Sequence, residues 1–412
     1  MEVKAGYKQT EVGVIPSDWE VHNLLRNSIL KARIGWQGLT TAEYLTIGDY
    51  FLVTGTDFSN GKINWETCFY VSKYRYSQDK YIQLHESDIL ITKDGTIGKI
   101  AFIDKLPRLA TLNSGVFVIR PKENAYLPLF FFYVLNSIFF HNFLNKLVAG
   151  STINHLYQKD FNSFNFPLPS AVSEQAAIAT ALLDTDAFIS SLEKLIVKKK
   201  MIKQGAMQEL LKPKKGWEVK KLGECLLKNP DYGINAAAVD FDDTLPTYLR
   251  ITDISDNGKY LHANKVSVNN VNSDSYYLDE GDIVFARTGA SVGKTYLYDK
   301  NDGKLVFAGF LIRLRSNPKI LFYKYLFYIT QTKAYWSWVL ANSMRSGQPG
   351  INSNEYKSYE ISLPNLTEQK RIANILADMD SEINALETKL EKYKMIKLGM
   401  MQELLTGRIR LI

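Results

Sequence analysis

KMIKQGAMQELL, residues 200–211, recurs as KMIKLGMMQELL, residues 394–405, with ten of the twelve positions identical. The same offset of 194 residues relates Ser173-Glu174-Gln175 to Thr367-Glu368-Gln369. Shorter matches extend the repeat toward the N-terminus and pair Trp19-Glu20-Val21 with Trp217-Glu218-Val219, and Asn60-Gly61-Lys62 with Asn257-Gly258-Lys259. A chain of 412 residues that repeats at about half its length consists of two equivalent halves. Each half has a variable part followed by a near-copied segment.

The near-copied segments are predicted to form two long helices. No proline interrupts residues 173–211, and Ser173 and Thr367 are the predicted N-caps. Apolar residues recur at steps of three and four, the heptad pattern of helices packed along their length. This seam comprises Ile178, Leu182, Ile189, Leu192 and Ile196 in the first copy and Ile372, Leu376, Met379, Ile383, Leu386 and Leu390 in the second. Because such helices are too long to bury the seam on one compact domain, we expect an antiparallel pair; a coiled coil that dimerises two chains is the alternative.

The predicted fold class is α/β (α+β), with two globular parts and two long helices related by an internal pseudo-twofold repeat. The predicted boundaries are 1–170 and 215–365 for the globular parts and 171–214 and 366–412 for the helices. In each globular part a Gly-rich turn separates two alternating stretches, which predicts an antiparallel hairpin. These are DILITKDGTIGKIAFID (88–104) and GDIVFARTGASVGKTYLYD (281–299). An aromatic segment follows each hairpin and is predicted to be helical, over 128–147 and 320–340.

Composition narrows the class of protein. A hydrophobic content of 46% with 23% charged residues is typical of a globular chain. A net charge of +7 permits a polyanionic partner without requiring one. The only cysteines, Cys68 and Cys225, exclude a disulfide framework and a thiolate zinc site, which favours a reducing, cytoplasmic location. The apolar segment 126–144 is interrupted by polar residues, so we expect a buried helix starting near Pro128 and no membrane partner.

The segment RTGASVGKT, residues 287–295, ends like a phosphate-binding loop. Such a loop needs four residues between its glycines and a Gly-Lys-Ser/Thr that opens a helix. Here three residues separate Gly289 from Gly293, and the TYLYD that follows Lys294 alternates like a strand. The counterpart in the first half, residues 95–99, is shorter still. A nucleotide hydrolase with helical dimerisation arms is therefore only an alternative.

The candidate DNA-binding residues lie in polar loops at equivalent positions of the two halves. Basic residues flank the Gly-rich tips, whose backbone amides can approach a phosphodiester; the candidates there are Lys93, Thr96, Lys99, Arg287, Thr288, Ser291 and Lys294. A second loop pair follows the aromatic segments and offers side chains that suit base edges. Its candidates are Ser151, Thr152, Asn154, His155, Gln158 and Lys159 in the first half and Arg345, Ser346, Gln348, Asn352 and Asn354 in the second. A third pair contributes Gln37 and Asn235. Ordinary solvated loops are the alternative.

The basic run at residues 198–203 is open to three interpretations: contact with a partner, contact with DNA phosphates, or a solvated helix face. No catalytic constellation is recognisable. The nearest match to an adenine methyltransferase motif is Asn229-Pro230-Asp231-Tyr232, which lacks the second proline. The five histidines show no metal-ligand spacing. We therefore predict no catalytic residue, no metal site and no cofactor in this chain.

The chain resembles the specificity (S) subunits of type I restriction–modification enzymes over essentially its whole length. The resemblance is carried by the duplicated helices and by YKQTEVGVIPSDWEV (7–21), YLRITDI (248–254), RTGASVGK (287–294) and LTGRIRLI (405–412). It implies two target-recognition domains, each recognising one half of a bipartite double-stranded DNA target, with the helices as spacer.

The resemblance also implies the partners. Two modification subunits would bind S-adenosylmethionine and methylate adenine, and restriction subunits would use ATP and Mg to translocate and cut. A scaffold whose globular parts bind protein is the remaining alternative.

Overall fold

The structure is a computed structural model that describes residues 4–149, 155–345 and 347–412. The chain forms two compact units: unit 1 comprises Met1–Glu193 and Lys389–Ile412, and unit 2 comprises Lys194–Thr388. Each unit contains one globular part and a segment of both long helices. This division differs from the predicted boundaries, which set the helices apart, because each helix contributes apolar side chains to a globular core.

Unit 1 is built on a central antiparallel sheet. The strands of unit 1 are β1 (Tyr7–Thr10), β2 (Gly13–Pro16), β3 (Glu20–Asn23), β4 (Ser28–Ala32), β5 (Tyr50–Val53), β6 (Phe58–Ser59), β7 (Lys62–Ile63), β8 (Phe69–Val71), β9 (Ile89–Thr92), β10 (Ile100–Phe102), β11 (Ala110–Leu112), β12 (Val116–Pro121) and β13 (Asn165–Leu168). Its helices are α1 (Leu24–Asn27), α2 (Lys73–Ser77), α3 (Pro128–Leu135), α4 (Ile138–Ala149) and the first part of α5 (Val172–Leu210). The central order is β10-β9-β12-β4, and a second sheet, β11-β5-β8, contains the parallel pair β5 and β11.

Both faces of the central sheet are buried. Ile89 and Ile91 of β9 contribute to the core that contains α3 and α4, whereas Leu90 contributes to the core beside the second sheet. Successive strand residues point to opposite faces, so a strand covered on both sides is apolar at every position. This accounts for the continuous apolar run in β9.

Unit 2 repeats the plan. Its strands are β14 (Glu218–Lys221), β15 (Asp231–Tyr232), β16 (Val239–Asp240), β17 (Thr247–Leu249), β18 (Val266–Ser267), β19 (Asp282–Ala286), β20 (Thr295–Leu297), β21 (Leu305–Phe307), β22 (Leu311–Arg315) and β23 (Glu360–Leu363). Its helices are α6 (Tyr323–Ile329), α7 (Lys333–Ser343), α8 (Ser353–Ser358) and the first part of α9 (Leu366–Leu404). The central order β15-β22-β19-β20 mirrors that of unit 1, and β17 pairs with β21 in parallel. The two predicted hairpins are confirmed as β9–β10 and β19–β20.

Each aromatic segment forms two helices, where a single helix was predicted. In unit 1, α3 begins at Pro128 as expected, but the helix ends before Asn136 and Ser137. Their side chains bond to the carbonyls of Phe132 and Val134, which competes with helix continuation. Across the described ranges, no helix combines the length and the apolar character that a bilayer crossing requires.

The two long helices have 39 residues each, and their starts differ from the predicted caps. Ser173 and Thr367 lie inside the helices, at the second position. In the second copy the side chain of Asn365 accepts the N–H of Glu368 at 2.9 Å and so acts as the cap. The sequence pattern favoured Ser and Thr, but the helices begin earlier.

The seam is only partly a helix–helix surface. Ile178 and Leu182 are buried in the core of unit 1, and Ile372 and Leu376 in the core of unit 2. Farther along, Leu192, Ile196, Ile383 and Leu390 are buried, while Ile189, Met379 and Leu386 are half-buried. Thus the N-terminal part of each stripe holds the helix on a globular part.

The helices pack antiparallel in both units, as predicted. In unit 1, Asp186 of α5 pairs with Lys397 of α9 at 2.6 Å, and the ring of Phe188 lies 4.4 Å from that of Tyr393. In unit 2 the equivalent ion pair has its partners exchanged between the helices: Lys203 belongs to α5 and Asp380 to α9. Tyrosine hydroxyls of α3 and α6 donate to these two aspartates, from Tyr133 to Asp186 and from Tyr328 to Asp380.

The basic run at 198–203 contacts the neighbouring helix. Lys199 pairs with Glu382 at 2.6 Å and Lys200 with Glu387 at 2.7 Å. The hydrogen bond from Lys200 lowers the pKa of the Glu387 carboxyl below its usual range. Lys203 pairs with Asp380, so three lysines of the run have carboxylate partners on the neighbouring helix. The main contact of the basic run is therefore intramolecular.

Buried glutamines fasten each long helix to its globular part. Gln175 and Gln369, at equivalent positions of the repeat, are 2% and 1% exposed. Each carboxamide oxygen accepts a backbone N–H at 2.9 Å, from Leu127 in unit 1 and from Phe322 in unit 2. The amide groups donate to backbone carbonyls, of Pro169 for Gln175 and of Ile320 and Pro364 for Gln369.

Candidate nucleic-acid interface

The glycine before the lysine in each hairpin tip is required by packing. Gly98 and Gly293 have φ of +81° and +86°, in the left-handed region. A Cβ on Gly98 would lie 2.5 Å from Leu144 Cδ1, and one on Gly293 would lie 2.6 Å from Val339 Cγ1. The Gly-Lys-Thr of residues 293–295 then enters strand β20, where a phosphate-binding loop would open a helix. The structure therefore does not favour the nucleotide hydrolase.

In unit 2 the hairpin tip meets the loop after α7. Thr288 forms an antiparallel bridge with Gly350. The N–H of Gly289 donates to the carbonyl of Pro349 at 3.0 Å, and the N–H of Ile351 donates to that of Arg287 at 2.9 Å. Two segments that are about sixty residues apart in sequence are thus held together by backbone bonds, which makes their side chains neighbours.

The third predicted loop of unit 2 joins the same place. The hydroxyl of Tyr232 donates to Ser353 Oγ and accepts the Ser353 N–H, both at 3.2 Å. The Arg287 guanidinium lies 4.8 Å from the centre of the Tyr232 ring. Asn235, beyond the same turn, is exposed. The sequence places Tyr232 in this loop and in the incomplete methyltransferase motif, but it carries no signal for the contact with Arg287.

Unit 1 brings two of its three loops together. The N–H of Leu156 donates to the carbonyl of Lys93 at 2.9 Å, and His155 Nδ1 contacts the carboxylate of Asp94. Lys93 Nζ lies 5.1 Å from the centre of the Phe117 ring. Asp94 was not among the predicted residues, because a carboxylate carries no signal for DNA contact. The predicted Ser151, Thr152 and Asn154, and Ser346 in unit 2, lie outside the described residues.

Gln37 requires a correction. It was predicted at the surface, but it is 4% exposed, and its Oε1 has no hydrogen-bond partner among the described residues. The guanidinium of Arg33, 1% exposed, lies beside it and donates to the carbonyl of Leu112 at 2.8 Å and to Thr111 Oγ1 at 3.2 Å. Burial lowers the pKa of Arg33. A base edge has no access to Gln37 in this conformation.

Several predicted side chains of unit 2 already have partners. Arg345 forms an ion pair with Glu355, and Asn352 Oδ1 caps α8 by accepting the N–H groups of Asn354 and Glu355. Lys294 Nζ lies 2.8 Å from Asp256 Oδ1. The Lys294 ammonium lowers the pKa of the Asp256 carboxyl, chiefly through this hydrogen bond. Because these contacts occupy hydrogen-bonding groups of the three side chains, fewer groups remain available to a ligand.

The remaining predicted residues have accessible side chains. Those that are exposed are Thr96, Lys99, Gln158, Lys159, Gln348, Asn354 and Asn235. Lys93, Arg287, Thr288 and Ser291 are half-buried. They lie on the hairpin tips and adjoining loops, so each unit presents a polar surface of hydrogen-bond donors and acceptors. Among the described residues, no group of three His, Cys, Asp or Glu side chains is arranged to hold a metal ion.

Two equivalent frames that carry unlike polar loops define a duplicated recognition protein. The sequence profile described as the type I restriction modification DNA specificity domain matches residues 30–201 and, a second time, residues 214–393. The chain therefore belongs to the family of type I restriction–modification DNA specificity proteins. DNA recognition and assembly with other subunits of a restriction–modification system follow from membership of this family.

Similarity to known relatives extends over nearly the whole chain. The putative type I restriction enzyme MjaX specificity subunit of Methanocaldococcus jannaschii is 25% identical, with 98% of this chain and 96% of the relative covered. The EcoKI specificity subunit of Escherichia coli K12 is 23% identical over 92% of this chain and 85% of its own. The fold is similar to the crystal structure of a type I restriction–modification S subunit from M. genitalium, with a TM-score of 0.60, 13% identity and 98% of both chains covered.

Proposed function

We propose that each unit recognises one half of a bipartite, asymmetric double-stranded DNA target. The observation that carries this proposal is the equivalent meeting of loops in both units. The hairpin tip bonds to the loop after the helix pair at Lys93–Leu156 in unit 1 and at Arg287–Ile351 in unit 2. The frames are alike, but the side chains are not, as Asp94 and His155 in unit 1 contrast with Thr288 and Gln348 in unit 2. Unlike donors and acceptors on like frames suit two unlike half-sites.

We further propose that two modification subunits bind to the near-copied helical segments. The exposed apolar side chains there occur twice, as Met201 and Ile202 at 66% and 46% exposure and as Met395 and Ile396 at 67% and 39%. The same surface offered twice suits two copies of one partner. In this proposal S-adenosylmethionine, ATP and Mg belong to the modification and restriction subunits, and the complex acts on DNA in the cytoplasm. This chain supplies recognition and no catalytic group.

Mapping methylated adenines in cells that carry the chain and its modification subunits tests the proposal. We expect one asymmetric sequence with two defined parts and an undefined gap. Exchange of the second globular part, residues 215–365, for that of a relative should change one part and leave the other unchanged. A continuous or palindromic target would contradict recognition of one half-site by each unit. Retention of protein but not of DNA by the complex would favour the scaffold alternative.

The gap between the half-sites should depend on the long helices. Four residues inserted after Glu193 and four after Thr388 lengthen both helices by about 6 Å. At about 3.4 Å per base pair, we expect the tolerated gap to grow by up to about two base pairs, with both half-sites unchanged. Four residues inserted between Lys212 and Gly216 are the matched control and should not alter the gap. If the helix insertions keep the gap and change the half-sites, the spacer role is wrong.

A further inference from the structure

Arg287 differs from the other cations around it in unit 2. Lys294 pairs with Asp256, Arg345 with Glu355, and Arg313 and Arg315 with aspartates of the sheet. Among the described residues, no carboxylate forms an ion pair with the Arg287 guanidinium, and no side-chain hydrogen bond engages it. Its contact is the face of the Tyr232 ring, 4.8 Å from the guanidinium carbon. A half-buried cation without a carboxylate retains donors for a ligand.

The Tyr232 ring is itself held in place. Its hydroxyl bonds to the backbone and side chain of Ser353, at the start of α8. The backbone of Arg287 is fixed independently, since its carbonyl accepts the Ile351 N–H at 2.9 Å and its own N–H donates to the carbonyl of Phe310 at 3.0 Å. A guanidinium stacked on a fixed ring loses less rotamer freedom when it binds. The stacking on the Tyr232 ring and the bonds that hold this ring to Ser353 therefore preorganise the Arg287 side chain.

The equivalent residue of unit 1 is a lysine. Lys93 follows Thr92, which pairs with Val116, as Arg287 follows Ala286, which pairs with Leu311. Lys93 also lies over an aromatic ring, that of Phe117, but this ring belongs to a different strand from the one that supplies Tyr232. A lysine is a point charge, whereas an arginine is a planar fork that can bond to two acceptors at once. The two units thus place different chemistry at one position.

We propose that Arg287 is a guanine-recognising residue of unit 2, bonding to N7 and O6 of one guanine in the major groove, and that Tyr232 is its positioning residue. The bidentate arginine–guanine contact is the commonest specific contact between a side chain and a base edge. This inference rests on the proposed function and adds a defined base to one half-site. It replaces the phosphate contact that the sequence suggested for Arg287.

The test uses the full chain assembled with its modification subunits and duplex oligonucleotides that carry the mapped target. Each guanine is replaced in turn by 7-deazaguanine, which lacks the N7 acceptor. We expect the unaltered complex to lose about tenfold in affinity at one guanine in the half-site of unit 2. Arg287→Met, whose side chain has no hydrogen-bond donor, should show the weaker binding with ordinary guanine and no further loss with the analogue. Lys93→Met, the control in unit 1, should leave this guanine preference unchanged.

Three results would overturn the inference. The first is that Arg287→Lys binds like the unaltered protein while Arg287→Ala weakens binding to all sequences. If Arg287→Ala also reduces the slope of log affinity against log salt concentration by about one, Arg287 contacts a phosphate. A unit 2 half-site without guanine would exclude the contact. Full sensitivity to the analogue in Arg287→Met would place N7 recognition elsewhere. In each case the unaltered complex still selects a bipartite target; loss of all sequence selectivity would instead refute the proposed function.

The positioning role has its own readout. Tyr232→Phe keeps the ring but loses the hydroxyl bonds to Ser353, so its guanine selectivity should lie between that of the unaltered protein and that of Tyr232→Leu. Tyr232→Leu removes the ring and should relax guanine selectivity toward that of Arg287→Met, with other positions unaffected. If Tyr232→Leu keeps the full guanine selectivity, the ring does not position Arg287.

Discussion

Unit 1 and unit 2 agree in the contacts that hold the frame and differ in those at the loops. The buried glutamine, the Tyr–Asp–Lys contacts and the glycine packed on a helix occur in both. At the tips a backbone bridge occurs in both units, between Asp94 and His155 and between Thr288 and Gly350, but only in unit 1 do the side chains of the bridged residues also contact each other. The comparison shows that the repeat preserves the attachment of each globular part to the helices. The loop surface that is available to a ligand, in contrast, differs between the two units.

Removing the buried glutamines should have the largest effect on stability. Gln369→Leu leaves three backbone groups without a partner and should cost about 4 kcal/mol, whereas Gln175→Leu leaves two and should cost about 3 kcal/mol. Denaturant unfolding of the full chain measures both. The exposed Gln402 of α9 provides the control, since Gln402→Leu should change little. Equal small losses for all three would refute the anchoring role.

The tip glycines provide a second comparison. Gly98→Ala and Gly293→Ala should each cost about 2–3 kcal/mol, because a side chain is strained at positive φ and its Cβ meets α4 or α7. Gly95 has a φ of +68° with nothing within 4 Å of its Cβ position, so Gly95→Ala isolates the backbone strain, about 1 kcal/mol. Thermal unfolding gives the order. If the three variants are equal, packing on the helix does not matter.

The smallest expected effect concerns the Lys294–Asp256 pair. Unit 1 has Ser59 where the repeat places Asp256, and Lys99 has no ion pair among the described residues. Asp256→Asn should therefore raise affinity for nonspecific DNA by up to about fivefold, and Ser59→Asp should lower it similarly. Because Lys294 lowers the pKa of Asp256, the pair persists somewhat below the ordinary carboxyl range and is lost as pH falls through that lowered pKa. Binding titrations at several salt concentrations and pH values measure this; unchanged affinity in both variants would contradict it.

Much of the frame could be predicted because it depends on local patterns. The copied helices, the hairpins around the Gly-rich turns and the helix start at Pro128 follow from periodicity and from the backbone preferences of Gly and Pro. The helix caps were misplaced because Ser173 and Thr367 have the right chemistry at the wrong position. The burial of Ile178 and Ile372 in globular cores was missed, since a heptad stripe does not specify its partner.

The candidate site was less predictable. The loops that would meet were identified by their equivalent places in the repeat, but the contacts of individual side chains were not. Gln37 and Asn235 had the same standing in the sequence, yet one is buried and the other exposed. Arg345 and Arg287 are both loop arginines, yet only Arg345 has a carboxylate partner among the described residues.

The amino-acid sequence by itself determined the duplication, the two long helices and the equivalent places of the loops, because near-identical segments with the same periodicity fold alike. Only the tertiary structure decided which polar groups remain available to a ligand. An ion pair or a stacking contact forms between residues far apart in the chain, such as Tyr232 and Arg287 or Asp256 and Lys294. Their approach depends on how sheets and helices pack, and no local pattern encodes it.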